Sequence, residues 1–300
     1  MTRRLTVEWP DPVPFRDRNG AAIRILAVSD LLEATLIDAR NRSALAPIDF
    51  IVGCGDLEHH DLAFIADGFN APLLWVHGNH DTNQRWRESQ DSCPEPIQST
   101  ATHRQAGLSI AGLTWPAIRG KGGQRSETVA WGQAMRLATR RLGRLDPLIV
   151  LSHVPPLGWG DVPTDAYHRG FKGYRWLLER LKPVLWLHGH TPLAATRDWQ
   201  VQVGRTTIVN VTGAVLIELT PPMPGARPIR RLGIRAGAKS KANGGPVESN
   251  TRSQKSPDLS KGRLGSIGPL DRERPDRHRG RAWRLWPQRL EASRPEPGPR

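Results

Sequence analysis

The feature that most constrains this chain is a repeated pairing of a short apolar run with a Gly, Asp, Asn or His motif where the run ends. Segments 22–29, 48–54, 72–77, 108–113, 148–152 and 184–188 are brief, rich in Leu or β-branched residues, and predict strands. Between them, 32–40, 61–69, 126–142 and 173–181 carry helical patterns. Ser126 with Glu127 behind it predicts an N-cap, and Arg140, Arg141 and Arg144 suit the negative end of that helix dipole. Strands alternating with helices predict an α/β fold with helices packed on the faces of a sheet. After His188 the pattern changes, and 199–203, 206–211 and 215–219 predict an antiparallel closing meander.

Composition matters through where the charge sits. The formal net charge is +14 over 300 residues. Residues 221–300 hold 19 Lys and Arg against 7 Asp and Glu, a net of +12, whereas residues 1–220 are nearly neutral. That last stretch is dominated by Arg, Pro, Gly and Ser, too poor in apolar surface to offset the entropy of ordering it, and predicts a disordered C-terminal tail. Within it, 281–290 (RAWRLWPQRL) sets two Trp and two Leu among arginines, with Pro287 opposing a long helix. The tail's charge suits non-specific contact with nucleic acid or another anionic surface, although such runs are more often simply solvated. Cys54 and Cys93 form neither a disulfide framework nor a zinc-knuckle spacing, and Cys54 reads as a small core residue. The N-terminus lacks a signal-peptide apolar region, and no run approaches the ~20 apolar residues of a membrane span. The expectation is a cytoplasmic protein.

Five motifs fall just beyond predicted strand ends, where open α/β sheets place their sites. They are Ser29-Asp30-Leu31-Leu32, Gly55-Asp56, Gly78-Asn79-His80-Asp81, Ser152-His153 and His188-Gly189-His190-Thr191-Pro192. Each alone is ordinary loop furniture; together they predict one site. Asp, Asn and His are hard or borderline donors that suit Mn, Fe or Zn ions without a thiolate. A carboxylate such as Asp56 can bridge two cations, and Gly55, Gly78 and Gly189 permit the tight turns that aim side chains at one point. Two cations ~3.5–4 Å apart can clamp a phosphate and generate a hydroxide for in-line attack.

In that order the motifs resemble those of the calcineurin-like metallophosphoesterases, over about residues 22–220. The resemblance implies a four-layer α/β sandwich spanning residues 1–220 and one or two divalent metal ions per chain, with a phosphate ester as substrate. It implies that Asp56 bridges the ions and that Asn79, His153 and His190 complete one metal site. His80 would be the catalytic histidine at the phosphate or leaving oxygen, and Asp81 would orient its ring. Leu32 and Pro192 stand where the family has histidines for the other ion, leaving Asp30 and the shared Asp56 there.

Three outcomes follow from that departure: one ion, a second ion held by substitutes, or no catalysis. Glu33 is the foremost substitute metal ligand, one residue beyond Leu32. Glu58, His59 and His60 are read mainly as a solvated helix N-terminus, and His77 and His188 as packing residues, with His188 also near enough in sequence to enter the vacated space. In the segment 165–176, Tyr167, His168, Arg169 and Lys172 could meet an anionic substrate, Arg169 being the choice for its guanidinium fork. The same segment also leads into an amphipathic helix with Phe171, Trp176, Leu177 and Leu181 on its buried side. The Gly-rich stretch from Gly120 to Arg125 does not match a phosphate-cradling loop and reads as a flexible loop or lid. Functionally, the leading expectation is hydrolysis of a phosphomonoester or phosphodiester by a metal-activated water. The competing one is a non-catalytic binding scaffold on the same fold.

Overall fold

The computed structural model describes residues 2–81, 93–118, 123–196 and 198–223. The predicted tail beyond residue 223, with its 281–290 segment, and residues 120–122 of the Gly-rich loop lie outside the described residues.

Two sheets form the centre. The first runs in the order β1 (Arg3–Glu8), β11 (Gly213–Thr220), β2 (Ile23–Ser29), β3 (Phe50–Gly53) and β4 (Leu73–Trp75). The second runs β5 (Thr102–Gln105), β6 (Leu108–Leu113), β7 (Leu148–Ser152), β8 (Leu185–His188), β10 (Thr206–Asn210) and β9 (Gln200–Val203). Strands β2, β3 and β4 are mutually parallel, as are β6, β7, β8 and β10.

Period-two alternation explains the layering, because these strands are apolar on both sides. Ile23, Ile25 and Ala27 of β2, Phe50 and Val52 of β3, and Val215, Ile217 and Leu219 of β11 share one core with Ile149 and Leu151 of β7 and Leu185 and Leu187 of β8. The intervening residues face outward. Leu26, Val28, Ile51, Ala214 and Leu216 pack under α1 (Ala34–Ile37), α2 (Ala39–Leu45) and α3 (His59–Phe69). On the other side, Val150, Trp186 and Ile208 pack under α4 (Glu127–Arg140) and α5 (Lys172–Leu181). The order helices, sheet, sheet, helices is the expected four-layer sandwich.

Local chemistry sets the helix ends. Ser126 Oγ accepts from Val129 N at 3.3 Å, the N-cap its position predicted. At the far end the arginines make specific bonds: Arg140 donates to the carbonyl and hydroxyl of Thr100, and buried Arg141 grips Asp146. The helix expected over 32–40 is instead two short ones. Asp38 turns extended between them, and its carboxylate accepts from the amides of Arg40 and Asn41, so it caps α2 and ends α1.

The closing meander is corrected. Strands β9 and β10 form an antiparallel hairpin, but β10 joins β8 in parallel and β11 leaves for the other sheet, antiparallel to β2. The β11 segment is buried on both sides, which needs a central place between β1 and β2 rather than a sheet edge. Strand β1 escaped the sequence reading because its residues alternate between half-buried and exposed, as suits an edge strand carrying Arg3 and Arg4.

The inter-sheet core should dominate stability. Leu151→Ala, at a fully buried position between the sheets, is expected to cost about 2–5 kcal/mol in urea unfolding. Leu142→Ala, at a position 65% exposed, is expected to stay within about 0.5 kcal/mol.

Candidate metal centre

The parallel strands deliver their C-terminal ends to one rim. Asp30 follows β2, Asp56 lies three residues past β3, Asn79 follows the β4 turn, and His153 and His190 follow β7 and β8. Asp30, Asp56 and His190 all adopt left-handed backbone, at φ 61°, 57° and 64°. Asp, Asn and His tolerate that region best among residues with a Cβ, yet it still costs of order 1 kcal/mol each. Two glycines allow the close approach. A Cβ on Gly78 would lie 2.2 Å from Asp56 Oδ1, and one on Gly189 would lie 2.2 Å from Asp30 Oδ2 and 2.0 Å from Ser29 Oγ.

The centre is built around His153, which is buried. Its Nδ1 bonds the Cys54 carbonyl at 2.8 Å, so Nδ1 carries hydrogen and Nε2 faces the site. There Nε2 meets Asn79 Oδ1 at 2.9 Å and Asp56 Oδ2 at 3.1 Å. A lone pair facing two oxygen acceptors is repulsive unless a cation lies among them. Without a metal ion that cation is a proton: burial opposes charging His153, but Asp56 and the neighbouring oxygens raise its pKa to about 9. A metal ion would displace the proton and use the same three atoms. One ligand atom each from Asp30, Asp56 and His153 lie within 4.8 Å of one another. The donor set therefore fits a divalent ion.

Each remaining side chain has its own restraint. Burial works against ionising Asp56, yet His153 and the His80 amide, which donates to Asp56 Oδ1 at 2.8 Å, hold its pKa below the usual carboxylate range. Asp30 accepts from His190 N at 3.0 Å and from Thr212 Oγ1 at 3.2 Å. His190 Nε2 bonds the Tyr167 carbonyl at 2.9 Å, which puts hydrogen on Nε2 and leaves the lone pair of the neutral ring on Nδ1. Burial, then nearby His153, lowers the His190 pKa to about 3, so the ring is neutral and able to ligate. The Tyr167 hydroxyl accepts from Asn79 Nδ2 at 3.0 Å, which turns Asn79 Oδ1 toward His153. Tyr167 thus orients two ligand candidates at once.

Asp30, Asp56, His80, Tyr167, His168 and His190 line a cavity of about 310 Å³. The His80 side chain is 59% exposed, with Nε2 4.0 Å from Asp56 Oδ2. Asp81, expected to orient that ring, is directed elsewhere: it is buried, and its Oδ2 accepts from the amides of Gly78 at 2.6 Å and Asp56 at 3.0 Å. Burial raises its pKa to about 6 in spite of those bonds. It therefore pins two of the turns that form the site. Arg169 is exposed and is not among the residues lining this cavity; its carbonyl accepts from Arg125.

The expected substitutes for the absent histidines also lie elsewhere. Leu32 packs against the core beneath the helices, and Pro192 is exposed. Glu33 Oε1 accepts from Ala214 N at 2.9 Å and Oε2 from Thr35 Oγ1 at 3.0 Å, so both oxygens serve the start of β11 and of α1. His188 is buried with Nδ1 on the Gly189 carbonyl, and a Cβ on Gly160 would sit 2.6 Å from its Nε2, away from the cavity. His59 and His77 flank the Trp75 ring at 5.0 and 4.9 Å, and exposed His60 pairs with Glu58 and Asp61. Thr212 and Arg125 were missed, since a threonine after a strand and an arginine after glycines carry no distinctive signal. Glu33→Ala is expected to destabilise the fold by about 1–3 kcal/mol through the orphaned Ala214 amide while leaving Mn²⁺-induced thermal stabilisation intact. Melting curves with and without the ion check this, and loss of the shift would contradict it.

Residues 23–194 match the family model described as calcineurin-like phosphoesterase. No curated protein matches the sequence. Similar solved structures include TT1561 of Thermus thermophilus, 18% identical over 64% of this chain and 90% of that one, TM-score 0.45. A putative 5'-nucleotidase from Staphylococcus aureus in complex with alpha-ketoglutarate is 13% identical over 64% of this chain and 49% of its own, TM-score 0.45. A dimetal phosphatase from Danio rerio is 9% identical over 64% and 88%, TM-score 0.44. The family match takes in more than half of the chain, including all five of the turns that carry Asp30, Asp56, Asn79, His153 and His190. This chain belongs to the calcineurin-like phosphoesterase family.

Proposed function

We propose that the protein hydrolyses a phosphomonoester or phosphodiester with the help of one or two divalent metal ions. The observation that carries this reading is the approach of His153 Nε2 to Asp56 Oδ2 and Asn79 Oδ1 beside Asp30, a cluster of ligand atoms whose spacing fits a divalent ion. Asp56, Asn79, His153 and His190 would hold one ion, and Asp30 with Asp56 would face a second. Bound there, such ions would polarise phosphoryl oxygens and lower the pKa of a water. Oxygen and imidazole donors without thiolate suit Mn, Fe or Zn.

The chain's own residues supply the rest. His80 is anchored by its amide on Asp56 while its side chain stays exposed at the cavity, so it can reach a substrate oxygen and donate a proton to the leaving group. Asp81 holds the Gly78 and Asp56 amides, which keeps the turn that presents Asn79 and His80 in register with the Asp56 carboxylate. Tyr167 keeps the Asn79 amide and the His190 ring in the orientation that exposes ligand atoms. The core packing of Leu32 favours the competing reading, a binding scaffold with a reduced metal site.

Turnover of aryl phosphate mono- and diesters with Mn²⁺ tests the proposal. The expected result is metal-dependent hydrolysis that EDTA abolishes and that His80→Ala lowers by about 10²–10⁴-fold. Activity equal to that of an Asn79→Ala, His80→Ala double variant, with no thermal stabilisation by Mn²⁺ or Zn²⁺, would establish the scaffold reading instead.

A further inference from the structure

We propose that His168, oriented by Asp165, is a metal ligand of this chain and brings to the cavity it shares with Asp30 the imidazole that positions 32 and 192 do not supply. The inference rests on the metal-dependent reading above and names a residue for it. His168 lines the same cavity as Asp30, Asp56, His80 and His190, its ring centroid 5.3 Å from that of His190. Asp30, Asp56 and His153 already make up the closely spaced trio and His168 lies outside it, so the ion assigned to His168 is a second one within the same cavity.

The tautomer is the first support. His168 Nδ1 bonds the Asp165 carboxylate, which can only accept when ionised. Nδ1 therefore carries the hydrogen, and the lone pair of the neutral ring is on Nε2. An imidazole with one nitrogen tied to a carboxylate or carbonyl is the usual form of a metal-ligating histidine. His153, tied to the Cys54 carbonyl, and His190, tied to the Tyr167 carbonyl, have the same construction. His60 differs because both of its nitrogens lie on carboxylates, and His188 because it is buried away from the cavity beside Gly160.

The second support is that the loop presenting His168 is braced along its length. Asp161 accepts from Gly158 N and Gly170 N, both at 2.8 Å, which closes the loop at its base. Asp165 Oδ1 accepts from Tyr167 N at 2.9 Å while Oδ2 holds the imidazole. Arg125 donates to the carbonyls of Ala166, Tyr167 and Arg169, and its guanidinium lies over the Phe171 ring at 4.5 Å. Three carbonyls fixed by one guanidinium hold Tyr167 and His168 against the cavity. Glu33, the other candidate for this role, has both oxygens engaged by Ala214 and Thr35.

Calorimetric titration of the metal-stripped full chain with Mn²⁺, and separately with Zn²⁺, tests the assignment through stoichiometry and affinity rather than turnover. Wild type is expected to bind two ions. His168→Ala is expected to bind one, or to bind the second at least tenfold more weakly. Asp165→Asn, which keeps the ligand and the loop's shape, is expected to weaken the second ion by about 10–100-fold. Glu33→Gln is expected to match wild type. Unchanged binding of two ions by His168→Ala overturns the proposal, as does a wild type that takes a single ion whose affinity His168→Ala leaves unaltered. Two ions bound with the help of His168, but no phosphate-ester turnover, would sink the hydrolase reading and leave this assignment standing; a wild type that binds no ion sinks both.

Discussion

The contact of Asp56 with His153 is the interaction on which the rest of the structure turns. Asp56 belongs to the turn after β3 in the first sheet, and His153 follows β7 in the second. Their 3.1 Å approach therefore joins, at the rim, two layers whose interior contact is an apolar core. Two further bonds reinforce the join: His153 Nδ1 donates to the Cys54 carbonyl, and His190 N donates to Asp30. A buried carboxylate and a buried imidazole are costly to desolvate, and pairing them with each other and with further hydrogen bonds offsets the cost. What remains is a cluster of oxygen and imidazole donors around that pair, a set that suits a divalent ion.

Strain and support are arranged around that place. Asp30, Asp56 and His190 hold left-handed backbone, and Gly78 and Gly189 let carboxylates come nearer the chain than any side-chain-bearing residue would permit. Such conformations persist only where the surroundings over-determine them. Asp81 does this from beneath, with its hold on two amides, and the 158–171 loop does it from above through Tyr167. Asymmetry follows from the same chemistry. On the His153 side every ligand candidate has a partner that fixes its orientation; position 32, by contrast, offers a leucine packed against the core, while Tyr167 and His168 of the loop line the cavity.

Much of the fold was legible because its strands are buried on both faces and appear as unbroken apolar runs. The positions of Asp30, Asp56, Asn79, His153 and His190 could be read from the turns at the ends of those runs. Where the reading failed, tertiary context decided. The 215–219 segment reads as part of a closing meander, yet it pairs with β1 and β2 of the other sheet, distant in sequence, which no local pattern encodes. Asp38 interrupts a helical pattern because its carboxylate competes for backbone amides, and Asp81 serves the backbone rather than the His80 ring. Arg125 reaches residues more than 40 positions away, a contact that no local pattern encodes.

The most direct test of this account is the anomalous scattering of crystals grown with Mn²⁺. The account predicts a peak coordinated by Asp56, Asn79, His153 and His190, with His153 bound through Nε2. A well-ordered site with no peak there, and His153 Nε2 still within hydrogen-bonding distance of Asp56 at saturating Mn²⁺, would contradict it.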